Sequence, residues 1–239
     1  MSSGRLEPVV PGEQLARAAL ALARAFASGA TLWCVAPSWP GHGRHVAVEF
    51  VHPVVVGSRA FPAVHVEHPS PADRLRLLAR PGDVLLLLGT GKDTVLGDLL
   101  RRAEAWGLRS IWIGAGEGES AADRADHRVW LGGVEAEVAA RSGDVVLCYH
   151  LLWELTQIVV EHPGLLRPDE ECVGEACITC SDEGRVAEVV APGDGGSAEV
   201  LAGGRRELVD VSLVEPVRAG DLLLCHAGVA LDVLEGAGR

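Results

Sequence analysis

The stretch Gly82-Asp-Val-Leu-Leu-Leu-Leu-Gly-Thr-Gly91 decides the fold. Its centre, Val84 to Leu88, is an unbroken apolar run between a Pro81-Gly82-Asp83 turn and a loop of glycine and threonine. A strand covered on both faces has no need to alternate apolar with polar residues, so such a run reads as a buried parallel strand. Parallel neighbours require crossover connections, usually helices, and the flanking sequence supplies them. Before the run, residues 13–28 are rich in alanine and leucine and stop at Gly29, the usual C-terminal signal of a helix. Thr31 to Ala36 reads as a strand, Gly43 to Val51 as a second helix and Ala63 to Val66 as a short strand. After the run come a helix from Thr94 to Trp106, strands at Ser110–Ile113 and Arg128–Leu131, and a last amphipathic helix from Gly143 to Glu161. Strands alternating with helices predict an α/β fold with a doubly wound parallel sheet.

The pattern then changes. His162 to Glu171 carries two prolines and an acidic run, the composition of a linker. Beyond it, Gly184–Val190, Ala198–Leu201, Arg205–Leu213 and Asp221–Cys225 are short β-prone pieces between glycine-rich turns, which predict a small, OB-like β-barrel. The expected organisation is an α/β domain over residues 1–165, a linker over 166–171 and the barrel over 172–239.

Composition narrows the function classes. A 239-residue chain with 48% hydrophobic residues and mixed charge belongs among soluble globular proteins. The Val84–Leu88 run is too short to span a bilayer, and the opening Met-Ser-Ser-Gly-Arg-Leu-Glu-Pro lacks the apolar core of a signal peptide, so a cytoplasmic address is expected. Of the formal charge of −12, most sits in the tail, where residues 167–239 hold six basic and fifteen acidic side chains. No basic patch suited to a phosphate backbone is present, which argues against nucleic acid. Lys92 is the sole lysine.

Ligands of open α/β sheets bind beyond the C-terminal ends of the strands, where loop amides and helix N-termini can hold a phosphate. Two loops qualify, Pro37-Ser-Trp-Pro-Gly-His-Gly43 and Gly89-Thr-Gly-Lys-Asp-Thr94. The second is not a P-loop: Leu86 stands where the first glycine is needed, and Asp93 follows Lys92 where Ser or Thr would hold magnesium. Thr90, Gly91, Lys92 and Thr94 remain candidates for binding a phosphomonoester. On the second helix His45 and Glu49 are spaced i, i+4 and share a face, an arrangement that serves as a metal site, as an acid/base pair or simply as a polar helix surface.

Six cysteines occur, at 34, 148, 172, 177, 180 and 225. Reduced thiols are expected in the cytosol, and isolated Cys34 and Cys148 read as small buried hydrophobes. Cys172, Cys177 and Cys180 form a Cys-x4-Cys-x2-Cys cluster in an acidic stretch, which points to metal or redox chemistry. A structural zinc would need a second ligand pair, and the adjacent Cys225-His226 is a poor one.

Two resemblances follow from these residues. The stretch Gly43-Arg-His-Val-Ala-Val-Glu-Phe-Val51, the Gly82–Gly91 segment and Leu147-Cys-Tyr-His-Leu-Leu-Trp-Glu-Leu155 together resemble the SIS-domain phosphoheptose isomerases, over about 140 residues. That resemblance implies a sugar-phosphate site at Ser38, Thr90, Gly91, Lys92 and Thr94. It implies a zinc site at His45, Glu49 and His150, with Glu49 and His150 catalytic in an aldose–ketose isomerisation through an enediol. It also implies a homo-oligomer, a dimer or tetramer. The sequence departs from that pattern in the first loop, where two prolines remove amide donors, and at Ser142, where the isomerases carry a liganding glutamine.

The tail, from Cys177-Ile-Thr through Gly184-Arg-Val-Ala-Glu-Val-Val190 and Arg205–Val214 to Val217-Arg-Ala-Gly-Asp-Leu-Leu-Leu-Cys-His-Ala-Gly-Val-Ala-Leu-Asp232, resembles the HypC/HupF chaperones of [NiFe]-hydrogenase assembly. The resemblance implies that Cys177 and His226, with Cys172 and Cys180 as further thiols, hold an Fe(CN)2CO unit. The implied partners are a HypD-like maturation factor and the hydrogenase large subunit. The expected function is therefore that of a hydrogenase-maturation accessory protein whose SIS domain binds a phosphorylated sugar or builds the oligomer. The alternatives are a sugar-phosphate isomerase with a docking tail and a non-catalytic sugar-phosphate sensor.

Overall fold

The structure, a computed structural model, describes residues 11–67, 69–116, 121–132, 135–141, 143–166, 184–214 and 216–235. The chain divides into two compact units, one running to Arg167, the other from Pro168 onward and taking in Arg80–Gly82 and Arg101–Leu108.

The first unit is a five-stranded parallel sheet in the order β2-β1-β3-β4-β5. Its strands are β1 (Leu32–Val35), β2 (Ala63–His65), β3 (Val84–Thr90), β4 (Arg109–Ala115) and β5 (His127–Leu131). The strand expected to be buried, β3, is flanked by β1 and β4 at the centre of the sheet, with Val84 through Leu88 all buried. Alternate residues serve the two faces. Leu32, Cys34, Leu86, Leu88, Ile111, Ile113, Val129 and Leu131 share one core with helices α1 (Gly12–Ala27), α2 (Pro40–Val51) and α6 (Gly143–Glu161). Trp33, Leu85, Leu87 and Trp112 are buried on the other face, where Leu96 of α4 (Thr94–Ala105) lies under Gly89. Asp83, buried at the start of β3, accepts hydrogen bonds from the Thr31 amide (2.8 Å) and the Trp33 indole (2.8 Å), which pins β1 to β3.

Helix α6 is long and apolar enough to cross a membrane by length and composition. It is instead the core helix of this unit, with Val145, Cys148, Tyr149, Leu152, Trp153 and Thr156 buried and α1 packed along it. Two helices escape the sequence reading, α3 (Pro71–Leu78) and α5 (Ala136–Arg141). The first has only Pro71 and Leu75 buried, too few apolar positions to declare a period. Helix α2 begins at Pro40 rather than Gly43, because a proline at the first helical position presets φ and loses no needed donor. Gly43 is then required by packing: a Cβ there would lie 2.7 Å from the His65 ring and 3.0 Å from Ala36.

The second unit contains a closed five-stranded barrel in the order β10-β8-β7-β6-β9. It comprises β6 (Arg185–Pro192), β7 (Ser197–Ala202), β8 (Arg205–Asp210), β9 (Leu222–His226) and β10 (Val229–Glu235). All pairs are antiparallel except β8 with β10, which close the barrel at Asp210 and Val229. Its core mixes Ala187, Ala198, Ala202 and Ala230 with Val189, Val200, Val209, Leu223 and Cys225, small and larger side chains that fill a narrow interior. Strand β10 was not anticipated. A two-residue turn at Ala227–Gly228 makes it the hairpin partner of β9, with φ of 49° and 83°. Turns with both central residues at positive φ match strand twist.

Candidate functional site

Helices α2 and α6 bring together the three side chains singled out from sequence. His45 Nε2 lies 3.1 Å from Glu49 Oε1 and 3.3 Å from His150 Nε2, and His150 Nε2 lies 3.5 Å from Glu49 Oε1. The helical spacing of four sets the first distance, and the packing of α2 on α6 sets the other two. Ligands bound tetrahedrally at about 2.0–2.2 Å from zinc stand roughly 3.3–3.6 Å apart, so the donor atoms already sit near the edges of such a site. Two imidazoles and a carboxylate also form a suitable donor set. Glu49 is nearly buried while the two histidines are about 40% exposed on their side chains, which leaves the cluster open to a ligand from solvent.

Two further residues that the sequence did not single out adjoin the cluster. Tyr149 is fully buried, and its hydroxyl is 2.8 Å from His45 Nδ1 and 3.4 Å from His42 Nδ1. His42 Nε2 is 2.9 Å from the carbonyl of Ala140 on α5. Burial, with the Glu49 carboxylate adding to it, pushes the Tyr149 phenol up to about 12, so it stays protonated. An aromatic beside a helical histidine reads as core in the sequence; only the tertiary contact reveals the partner of Tyr149.

The proposed phosphate loop has a different character. β1 and β3 are the neighbours at which the strand order reverses, so their C-terminal ends flank the crevice where such sheets take ligands. There Asp93 caps α4: its Oδ1 accepts from the amides of Val95 (3.1 Å) and Leu96 (3.2 Å), and its Oδ2 accepts from the Ser38 hydroxyl at 2.8 Å. Thr90 ends β3, Gly91 and Lys92 form the turn, and Thr94 opens α4 with Lys92 and Thr94 exposed. Thr90, Gly91, Lys92 and Thr94 stand in one loop, but Ser38 and the first free amides of α4 are engaged by the chain's own carboxylate. Beside this loop a crevice of about 370 Å³ is lined by Ala36, Pro37, Pro40, His65, Glu67 and Val95 among others. Arg44 and Glu67 form an ion pair at the surface, and burial holds His65 below the usual imidazole range.

In the barrel, the Gly220-Asp221 pair closes the turn ahead of β9. Gly220 has φ of 90°, and the buried Asp221 carboxylate accepts from the Arg218 amide at 2.7 Å. That accounts for the pair as architecture; His226 stands partly buried at the end of β9. Cys225 points into the barrel core, and burial pushes its thiol up, Arg185 working against the shift and Glu207 with it. Neighbouring strand residues face opposite ways, so Cys225 and His226 do not form a chelating pair. Cys34 and Cys148 are likewise buried, and burial, aided by Asp144, pushes the Cys148 thiol up to about 11. Cys172, Cys177, Cys180 and Ser142 lie outside the described residues.

Comparison with known proteins assigns each unit. Residues 184–238 match the HupF/HypC family. The α/β unit has the fold of a phosphoheptose isomerase from Francisella tularensis, with 16% identity and a TM-score of 0.54 over 63% of this chain and 87% of that one. The Vibrio vulnificus NanR protein, solved in complex with ManNAc-6P, is similar at 12% identity and a TM-score of 0.50, over 66% of this chain and 58% of that one. At these identities the likeness is one of fold. No curated protein matches the sequence. The chain thus joins an α/β unit with the fold of phosphoheptose isomerases to a segment that matches the HupF/HypC family.

Proposed function

We propose that this protein is a cytoplasmic accessory factor of [NiFe]-hydrogenase maturation. The HupF/HypC match over residues 184–238 carries the reading, supported by a closed barrel that keeps the Gly220-Asp221 turn and presents His226. In this reading the barrel docks on a HypD-like maturation factor and on the hydrogenase large subunit. His226, with Cys177 and the neighbouring Cys172 and Cys180, handles the Fe(CN)2CO unit as cargo. The SIS-type unit contributes a divalent-metal site and an oligomer interface. Exposed Val48, Leu147 and Ile158 on α2 and α6, with Val54 and Val56 at 80% and 101% exposure, support a dimer or tetramer, which light scattering on the purified protein measures. Affinity capture of the two maturation partners by tagged wild-type protein, reduced by His226→Ala and Cys177→Ala, is the expected result. Equal capture by both variants would contradict it.

A second reading is favoured by the cluster on α2 and α6: an aldose–ketose phosphate isomerase. Zinc held by His45, Glu49 and His150 supplies Lewis-acid polarisation of carbonyl and hydroxyl oxygens. Glu49 and His150 then provide the carboxylate and imidazole that move a proton between adjacent carbons of an enediol. A phosphate entering at α4 has to displace Asp93 from three donors, which places this reading second. Turnover of sedoheptulose 7-phosphate that vanishes in His150→Ala would reverse the order.

A further inference from the structure

The atoms behind the cluster determine which nitrogen of His45 faces its centre. The series of contacts begins at the carbonyl of Ala140, in the last turn of α5, where helix carbonyls lack intrahelical partners. A carbonyl only accepts, so His42 Nε2, 2.9 Å away, carries hydrogen. In the neutral ring, His42 Nδ1 is then an acceptor, and it faces the Tyr149 hydroxyl at 3.4 Å. If that hydroxyl donates to His42, its oxygen turns a lone pair toward His45 Nδ1 at 2.8 Å. A good contact there requires hydrogen on His45 Nδ1. His45 Nε2 is left as a lone pair, aimed at Glu49 Oε1 and His150 Nε2.

The opposite direction, Tyr149 donating to His45, sets two lone pairs against each other between Tyr149 and His42 and forfeits that hydrogen bond. It also puts a hydrogen on His45 Nε2, which donates to Glu49 Oε1 at 3.1 Å and takes up the lone pair that a metal needs. The first arrangement opposes no lone pairs along the series and turns the lone pair of His45 Nε2 toward Glu49 and His150, so it is the arrangement that a bound cation selects.

We infer that His42 and Tyr149 are positioning residues that hold His45 as the Nδ1–H tautomer and present its Nε2 to a divalent cation. This rests on reading His45, Glu49 and His150 as a metal site. Such outer partners fix ring orientation and tautomer, and their loss commonly costs about 10–100-fold in metal affinity.

The test uses the full chain and Zn2+ in competition with a chromophoric chelator, together with long-range 15N–1H spectra that read the protonation of each imidazole nitrogen. Wild-type protein is expected to bind one zinc, lost in Glu49→Gln, with His45 protonated at Nδ1. Tyr149→Phe, which keeps the ring in its buried place, is expected to bind roughly 10–100-fold more weakly, and His42→Gln to weaken binding less. Both are expected to retain the wild-type thermal midpoint to within a few degrees while the His45 signals shift to a mixture of tautomers. Zinc binding lost in Glu49→Gln but unchanged in Tyr149→Phe and His42→Gln, with the same His45 tautomer, would overturn the positioning role and leave the metal site standing. No zinc bound by wild type, or binding indifferent to Glu49→Gln, would remove the metal site and this inference together. If Tyr149→Phe unfolds, the His42→Gln spectrum decides alone.

Discussion

The cluster on α2 and α6 and the cap of α4 lie on the same α/β unit and differ in what they leave unsatisfied. At the cluster, one nitrogen each of His45 and His150 and one carboxylate oxygen of Glu49 lie within 3.1–3.5 Å of one another. At the cap, Asp93 meets two amides and the Ser38 hydroxyl, so the charge a phosphate would bring is already supplied from within. A carboxylate at a helix N-terminus is favourable for the same reason that a phosphate is. The difference teaches that two side-chain clusters on one fold can differ in what they leave open to a ligand, so fold likeness alone does not carry an activity.

The contrast breaks most completely if a ligand of the cluster is removed. His150→Ala is expected to lose zinc on dialysis against a weak chelator, measured by metal analysis, while unfolding as wild type does, since the His150 side chain is about 40% exposed and outside the core. Gly43→Ala disturbs the cluster through packing instead. The added methyl meets His65 and Ala36, and overpacking of this kind costs about 1–3 kcal/mol. Chemical denaturation is expected to show that loss, with zinc affinity falling because α2 carries both His45 and Glu49.

Asp93→Ala sharpens the other side. Loss of an N-cap costs about 1 kcal/mol, and the freed amides and Ser38 are expected to give a detectable affinity for inorganic phosphate by calorimetry, absent in wild type. Phosphate binding already present in wild type and unchanged in the variant would show that Asp93 does not fill the cradle. The smallest effect belongs to the barrel. Ala227 holds φ of 49° in a hairpin turn whose counterpart between β7 and β8 uses Gly203 and Gly204. Ala227→Gly relieves a left-handed conformation that costs an alanine roughly 1–2 kcal/mol, offset by glycine's greater freedom in the unfolded chain. A net gain of a few tenths to about 1 kcal/mol in the denaturation midpoint is expected.

Much of the sheet was legible because burial on both faces writes itself as unbroken apolar runs, as at Val84–Leu88. The i, i+4 pair His45/Glu49 was legible because both residues lie on one helix. His150 was recognised only through family resemblance, being more than a hundred positions away. Tyr149 and His42 were not legible, since hydrogen bonding between α6 and the start of α2 leaves no local period. Asp93 was noticed only as the residue that spoils a P-loop, and its capping role needs the Ser38 contact made across the crevice. Helix α3, with Leu75 as its single large buried side chain, and strand β10, which depends on a turn at Ala227–Gly228, lacked a sufficient pattern.

The proposed role of the barrel in hydrogenase assembly is open to direct test. Hydrogenase activity and large-subunit maturation measured in a strain deleted for this gene, and complemented with wild type or His226→Ala, address it most directly. Loss of maturation in the deletion strain, restored by wild type and not by His226→Ala, is the expected result. Full maturation in the deletion strain, or equal restoration by the variant, would contradict it.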